Sequence, residues 1–179
     1  MNLFSKISAS QFSAIAALIV SVCALFVSIQ EARLMRIQQE AAIYPHLVAG
    51  PSYDGDGFGL RLKNSGTGLA QIESMKVWTE EIYFSNWIEV MDHFLPEGHN
   101  VGYNMMNATD INQMIVSPGE VVNLMRLPWT DTTRILLKHI QEIQYEICYC
   151  SLLGKCWKVH SELRKPVPAT CFFEEGKEF

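Results

Sequence analysis

The stretch from Ser8 to Gln30 carries no charged side chain and is mostly apolar, and nothing else in the chain restricts its possible structures so strongly. At about 1.5 Å of rise per residue, a bilayer core of about 30 Å takes about 20 residues in helix. Phe12 to Ile29, with the flanking Ser and Ala, supplies them. A cleaved secretory signal has an apolar run of roughly 7 to 15 residues closed by small residues spaced for cleavage; here the run passes into Gln30, Glu31 and Ala32 with no such pair. An acylated lipoprotein cysteine needs a small residue before it, and Cys23 follows Val22. The stretch reads as a retained single-pass transmembrane anchor, with residues 1–43 forming the membrane helix and a helical stem.

Within the span, Ser10, Ala14, Ala17, Ser21, Ala24 and Ser28 recur at spacings of 4, 3, 4, 3 and 4, the seam of a left-handed helix pair. Of the 13 other positions between Ser10 and Ser28, only Ser13 and Ala16 are Ser or Ala, so the small residues are in phase rather than scattered. Lipid gives helices little hydrophobic reason to associate, so close approach at small residues decides where they pack. The pattern predicts a homo-oligomer or a helix shared with a partner membrane protein. Gln30 to Ile43 continues as helix, with Glu31, Arg33, Arg36 and Glu40 on a polar side and Leu34, Ile37 and Ala41 on an apolar edge read as contact with the following domain, the alternative being the membrane-proximal end of a helix pair. Tyr44-Pro45 should end it, because a residue before proline is biased away from α.

About 135 residues remain, room for one domain. All 19 acidic residues but only 13 of the 14 basic ones lie beyond the span, a formal charge of −6. Nucleic acid is therefore not an expected partner, since binding it rests on neutralising phosphates.

Between residues 44 and 170, short alternating or β-rich runs are separated by turn chemistry. Strands are expected at His46–Ala49, Gly59–Lys63, Gln71–Thr79, Gln113–Val116, Val121–Leu127, Ile143–Cys150 and Cys156–His160. Two helices are expected between them, Asn86–Leu95 and Thr130–Ile140, capped by Ser85 and Asp131. Seven or so strands in about 110 residues point to an immunoglobulin-like antiparallel β-sandwich with one or two inserted helices. Trp78, Trp87, Trp129 and Trp157 are expected in its core, and Glu174–Phe179, within a tail of residues 171–179, is expected to be flexible.

Glu31–Arg36 followed by Tyr44–Leu47, the segment Leu62–Ala70, and Ile147–Ser151 with Cys156-Trp157 together resemble a family of uncharacterised bacterial proteins with one N-terminal membrane helix and a small β-rich domain. The resemblance covers about a third of the chain and implies architecture but no activity. Where the family usually has a proline before Ala70, this chain has Leu69.

Cys148, Cys150, Cys156 and Cys171 lie within 24 residues. One reading is disulfides: Cys150 and Cys156 flank a tight connection that could set them opposite each other, and Cys148, on the same strand face by the period of two, could take Cys171. The alternatives are ordinary buried or free thiols, or four thiolates on zinc, although C-x-C-x5-C-x14-C is not a common zinc spacing and a C-x-C on one strand face is awkward for two ligands. Redox catalysis has little support without C-x-x-C. Asp54-Gly-Asp-Gly57 superficially matches a calcium loop, but Phe58 stands at the third ligand position and Ser65 where the terminal glutamate belongs, so it reads as a hairpin turn. His46, His93, His99, His139 and His160 form no paired spacing, and no nucleophile-elbow, phosphate-loop or kinase signature occurs. No cofactor, metal or catalytic residue is assigned. The loop Gly98–Asp110, with Met105 and Met106, is the expected exposed apolar contact surface.

Arg33 and Arg36 outnumber Lys6, which by the positive-inside rule favours a cytoplasmic domain, whereas clustered cysteines favour the oxidising periplasm. The reading adopted is a bacterial inner-membrane, non-enzymatic interaction or accessory subunit with a periplasmic domain. The competing reading is a membrane-anchored sensor or effector whose cytoplasmic domain binds a ligand and which oligomerises in the membrane.

Overall fold

The computed structural model describes residues 9–80, 82–162 and 165–179, and the chain divides into two units after Ala42. In the first, α1 (Ala9–Ala42) is a single helix of 34 residues with no buried residue, long and apolar enough to cross a bilayer. It stops three residues before Pro45, whose ring disfavours α geometry at Tyr44. Lys6 and Ser8 lie outside the described residues.

The second unit is an antiparallel sheet-rich domain. Its elements run β1 (Leu47–Tyr53), β2 (Gly57–Asn64), β3 (Ala70–Thr79), β4 (Ile82–Phe84), α2 (Trp87–Phe94), β5 (Ile115–Val116), β6 (Val121–Pro128), α3 (Thr133–His139), β7 (Gln144–Ser151), β8 (Cys156–His160) and β9 (Val167–Pro168). One sheet has the order β1-β2-β6; the other runs β4-β3-β7-β8-β9, with β5 also pairing β3. The two share one core, in which Leu47, Phe58 and Leu62 of the first sheet and Ile72, Val77, Ile147 and Tyr149 of the second are wholly excluded from water.

The phase of β3 reverses partway along. Ala70 and Ile72 are buried while Gln71 and Glu73 are exposed, but the pairing with β7 slips between Ile72 and Ser74. A one-residue slip moves side chains to the opposite face, and beyond it Met75 and Val77 enter the core. Lys76, now on the outer face, is nonetheless buried, because the chain's last residues cover it. Glu174 pairs with Lys76, Phe179 N–H donates to Met75 O at 2.8 Å, and the Phe179 ring packs edge-on to Trp87 with centroids 4.7 Å apart. The tail expected to be flexible is thus held in place: a buried ammonium requires a counter-charge, and an aromatic ring gains from burial.

Other expectations are corrected. β4 and β9 are not among the seven expected strands, being only three and two residues long. β1 runs on to Tyr53 through Pro51, tolerated because β1 is an edge strand. The cap of α2 is Asn86 and not Ser85: Asn86 Oδ1 accepts from Glu89 N–H at 3.1 Å, while Glu89 returns a carboxylate oxygen to Ser85 N–H at 2.7 Å. Asp131 does not cap α3; Thr130 Oγ1 accepts from Thr133 N–H and Thr133 Oγ1 from Thr130 N–H. Of the four tryptophans only Trp87 is buried, the other three being half-exposed. In the Gly98–Asp110 loop Met106 and Val101 turn into the core, while Tyr103 is exposed and Met105 half-exposed, so only part of the expected apolar surface is presented.

Asn64, at the end of β2, joins three segments. Its side-chain amide donates to Gly68 O (2.8 Å) and Val116 O (3.0 Å), and its oxygen accepts from His46 N–H (3.2 Å) and Gly66 N–H (3.0 Å). Gly66 and Gly68 are required here, since a Cβ would stand 2.3 Å from Tyr44 O at the first and 1.8 Å from Ile43 O at the second. Replacing Asn64 by Ala is expected to lower the unfolding free energy, measured by denaturant titration of the purified protein, by about 3 kcal/mol or more, because several buried backbone groups lose their partners. Asn64→Asp, which sets a carboxylate against two carbonyls, should be destabilising at neutral pH and recover partly on acidification; equal stability of both variants to wild type would exclude this role.

Candidate functional site

Three features bear on function: a helix face, a sulfur cluster and a cavity. On the helix, all six small residues Ser10, Ala14, Ala17, Ser21, Ala24 and Ser28 belong to α1 and are exposed. At about 100° per residue they fall within an arc of roughly 80°. Ser21 Oγ donates to Ala17 O at 2.9 Å, which satisfies the hydroxyl proton within the helix and leaves the oxygen to accept. Leu34 and Ile37 are 56 % and 62 % exposed. In a straight helix the edge they share with Ala41 lies roughly 150° round from the small-residue arc.

The four clustered cysteines meet at the junction of β7, β8 and the final segment. Cys150 and Cys156 are opposite partners in the β7–β8 ladder, with Cα atoms 4.0 Å apart, and are bonded to each other. Cys148, two residues earlier on the same face, is bonded to Cys171. Cys148 is buried and the other three are half-buried. The two bridges touch: Cys150 Sγ lies 3.9 Å from Cys171 Sγ, and the sulfurs of Cys150, Cys156 and Cys171 all fall within 4.8 Å of one another. Cys23, the fifth cysteine, is exposed on α1 and free.

The cavity, about 350 Å³, is lined by Tyr53, Leu60, Trp87, Met125, Ile143 and Tyr145 together with Gln141, Gln144, Ser161 and Glu162. Much of its polar wall is already paired: Tyr145 Oη donates to Ala49 O at 3.0 Å, Gln144 Nε2 donates to Gln141 O at 3.3 Å, and Ser161 Oγ bonds Gln144 Oε1. Burial raises the Tyr145 hydroxyl above its ordinary pKa. Among the described residues, no histidine or cysteine lines it. Its residues come from many elements, so no local signal in the sequence announces it. Two histidines pair with carboxylates elsewhere, His99 Nε2 with Asp92 at 3.0 Å and His139 Nδ1 with Glu142 at 2.9 Å. His99 Nδ1 accepts from Val101 N–H, which leaves its proton on Nε2, directed at Asp92.

The Asp54–Gly57 hairpin uses its carboxylate internally. Asp54 Oδ1 accepts from Asp56 N–H and Gly57 N–H, and Arg126 grips both oxygens at 2.7 Å with Arg61 beside it. The guanidinium of Arg126 holds the Asp54 carboxyl down at about 2. A carboxylate depressed in the folded state contributes stability above its unfolded pKa, about 4, and loses it as pH falls toward 2. Asp54→Asn should therefore flatten the fall in melting temperature between those pH values; an unchanged slope would show that this pair is not coupled to folding. The disulfides give a second expectation. In the chain-entropy model, paired Cys→Ser changes at 148 and 171 cost about 3 kcal/mol and those at 150 and 156 about 2 kcal/mol, read by denaturant titration without reductant. Comparison of the chain with protein-family models, with curated proteins and with solved structures returns no match, so a function has to be argued from the residues themselves.

Proposed function

We propose that this chain is a single-pass, non-catalytic interaction or accessory subunit of a bacterial inner membrane. Its α1 crosses the bilayer and packs through the small-residue face against a second copy or a partner's helix, and its β-domain binds another protein in the periplasm. The observation that carries the reading is the arc of six small residues along the uncharged, exposed stretch from Ser10 to Ser28, whose other positions are mostly bulky. The strand order supports an immunoglobulin-like module: β1-β2-β6 and β3-β7-β8 repeat the A-B-E and C-F-G neighbours of that sandwich. The two bridges favour an oxidising compartment. A non-catalytic role is supported by the two cavities, of about 350 and 320 Å³, neither of which has a histidine or cysteine among its described lining residues.

A second reading draws on the same cavity, whose size and largely apolar wall suit a small ligand. It makes the protein a sensor with a cytoplasmic domain. A reporter fused after Phe179 separates the two, a periplasmic signal supporting the first and a cytoplasmic one the second.

For the anchor itself, Ala17→Leu with Ser21→Leu should abolish or strongly reduce self-association of α1, or its capture by a partner helix, in a membrane reporter assay. Leu18→Ile with Val22→Leu should leave it intact. Equal signals from both pairs of changes would remove the packing argument.

A further inference from the structure

We infer that Cys148, Cys150, Cys156 and Cys171 form, when reduced, a tetrathiolate site for a single soft divalent metal ion, with zinc the best match to the donors. This does not rest on the function proposed above. Zinc–sulfur bonds of about 2.3 Å in a tetrahedron place the sulfurs about 3.8 Å apart. The Cys150 and Cys171 sulfurs are already 3.9 Å apart without being bonded, and those of Cys150, Cys156 and Cys171 all lie within 4.8 Å of one another. Cys148, bonded to Cys171 in the bridged form, is the fourth donor. The β7–β8 ladder fixes three of the four positions independently of the sulfur bonds. Closing the site requires each bonded pair to part and the Cys148 sulfur, which lies outside the group of three, to turn toward Cys150 and Cys156. Lys158 stands opposite Cys148 in the ladder, and its ammonium is paired with Glu146 at 2.8 Å, so the site is made by the sulfurs alone.

Bridges and metal exclude each other, since only thiolates bind. With a phosphine as reductant, each S–S bond takes up two electrons and two protons. The phosphine becomes its oxide with the oxygen of a water molecule, and two thiols are left. Metal entry then displaces thiol protons to solvent. The same four residues would thus hold the final segment to the sheet in an oxidising compartment through sulfur–sulfur bonds and in a reducing one through metal–sulfur bonds.

The test uses the full chain in detergent, reduced by a water-soluble phosphine without oxygen and titrated with Co²⁺ as a coloured substitute for Zn²⁺. The expected result is an intense visible absorption of tetrahedral cobalt–thiolate type with a sulfur-to-metal charge-transfer band, saturating at one ion per chain and erased by added Zn²⁺. Cys171→Ser and Cys156→Ser should each weaken binding at least about 100-fold, and Cys23→Ser should leave it unchanged. Near-UV circular dichroism of the tryptophans follows the fold. Absence of a saturable band in the reduced wild type overturns the inference, whether the fold is kept or is lost and not restored by Zn²⁺. A band that survives Cys171→Ser overturns it as well.

Discussion

The side chain of Asn64 makes every hydrogen bond an amide can make, two as donor and two as acceptor, and all four partners are backbone groups of other turns and strands. One of those partners is His46, next to the point where the chain enters β1; another is Val116 on the short β5; the remaining two close the corner between β2 and β3. The backbone of Asn64 is engaged too, its N–H with Glu120 O and its carbonyl with Gly119 N–H. Neither aspartate nor glutamine reproduces this set at the same reach. The glycines at 66 and 68 let the entering chain pass against the corner closely enough for the amide to span the gap. The beginning of the domain, the first inter-sheet corner and an edge strand are therefore ordered together.

A second junction lies at the other end of β2. There Asp54 tightens the β1–β2 hairpin through two backbone N–H groups and accepts both arms of Arg126 from β6, while Trp129 Nε1 donates to Asp54 O and its ring stacks on Phe58. Gly57 and Gly59 allow β6 to approach, since a Cβ at either would fall about 2 Å from a β6 carbonyl oxygen: 2.2 Å from Leu127 O and 2.0 Å from Met125 O. The three-stranded sheet is pinned by polar side chains at both ends of its middle strand.

How much of this the sequence discloses depends on whether the deciding interaction is local. The uncharged run, the proline that ends α1, the turns and the alternating strands are all written within a few residues of one another, and these elements emerge within a few positions of their expected bounds. The reversal of phase inside β3 is not local, because it comes from a slip against β7 about 75 residues away. Burial of Lys76 has the same origin: nothing near it in the chain announces that Glu174 and Phe179 are brought to β3. Met106 looks like loop surface for a similar reason, since the core that receives it is assembled from both sheets. The cysteine spacing leaves disulfide and metal readings both open, and the cavity, built from scattered residues, leaves no trace in the pattern at all.

In the proposed assembly the two faces of α1 bear on how many neighbours that helix can hold. A helix with one associating side makes closed pairs, because the contact that binds the partner is used up in binding it. Here the small-residue arc and the edge of Leu34, Ile37 and Ala41 point in nearly opposite directions from successive stretches of one rod. A straight neighbour laid along the first cannot cover the second. In the proposed assembly the first face takes a helix, of a second copy or of a partner, at bilayer depth, and leaves the second face open to a separate contact above it.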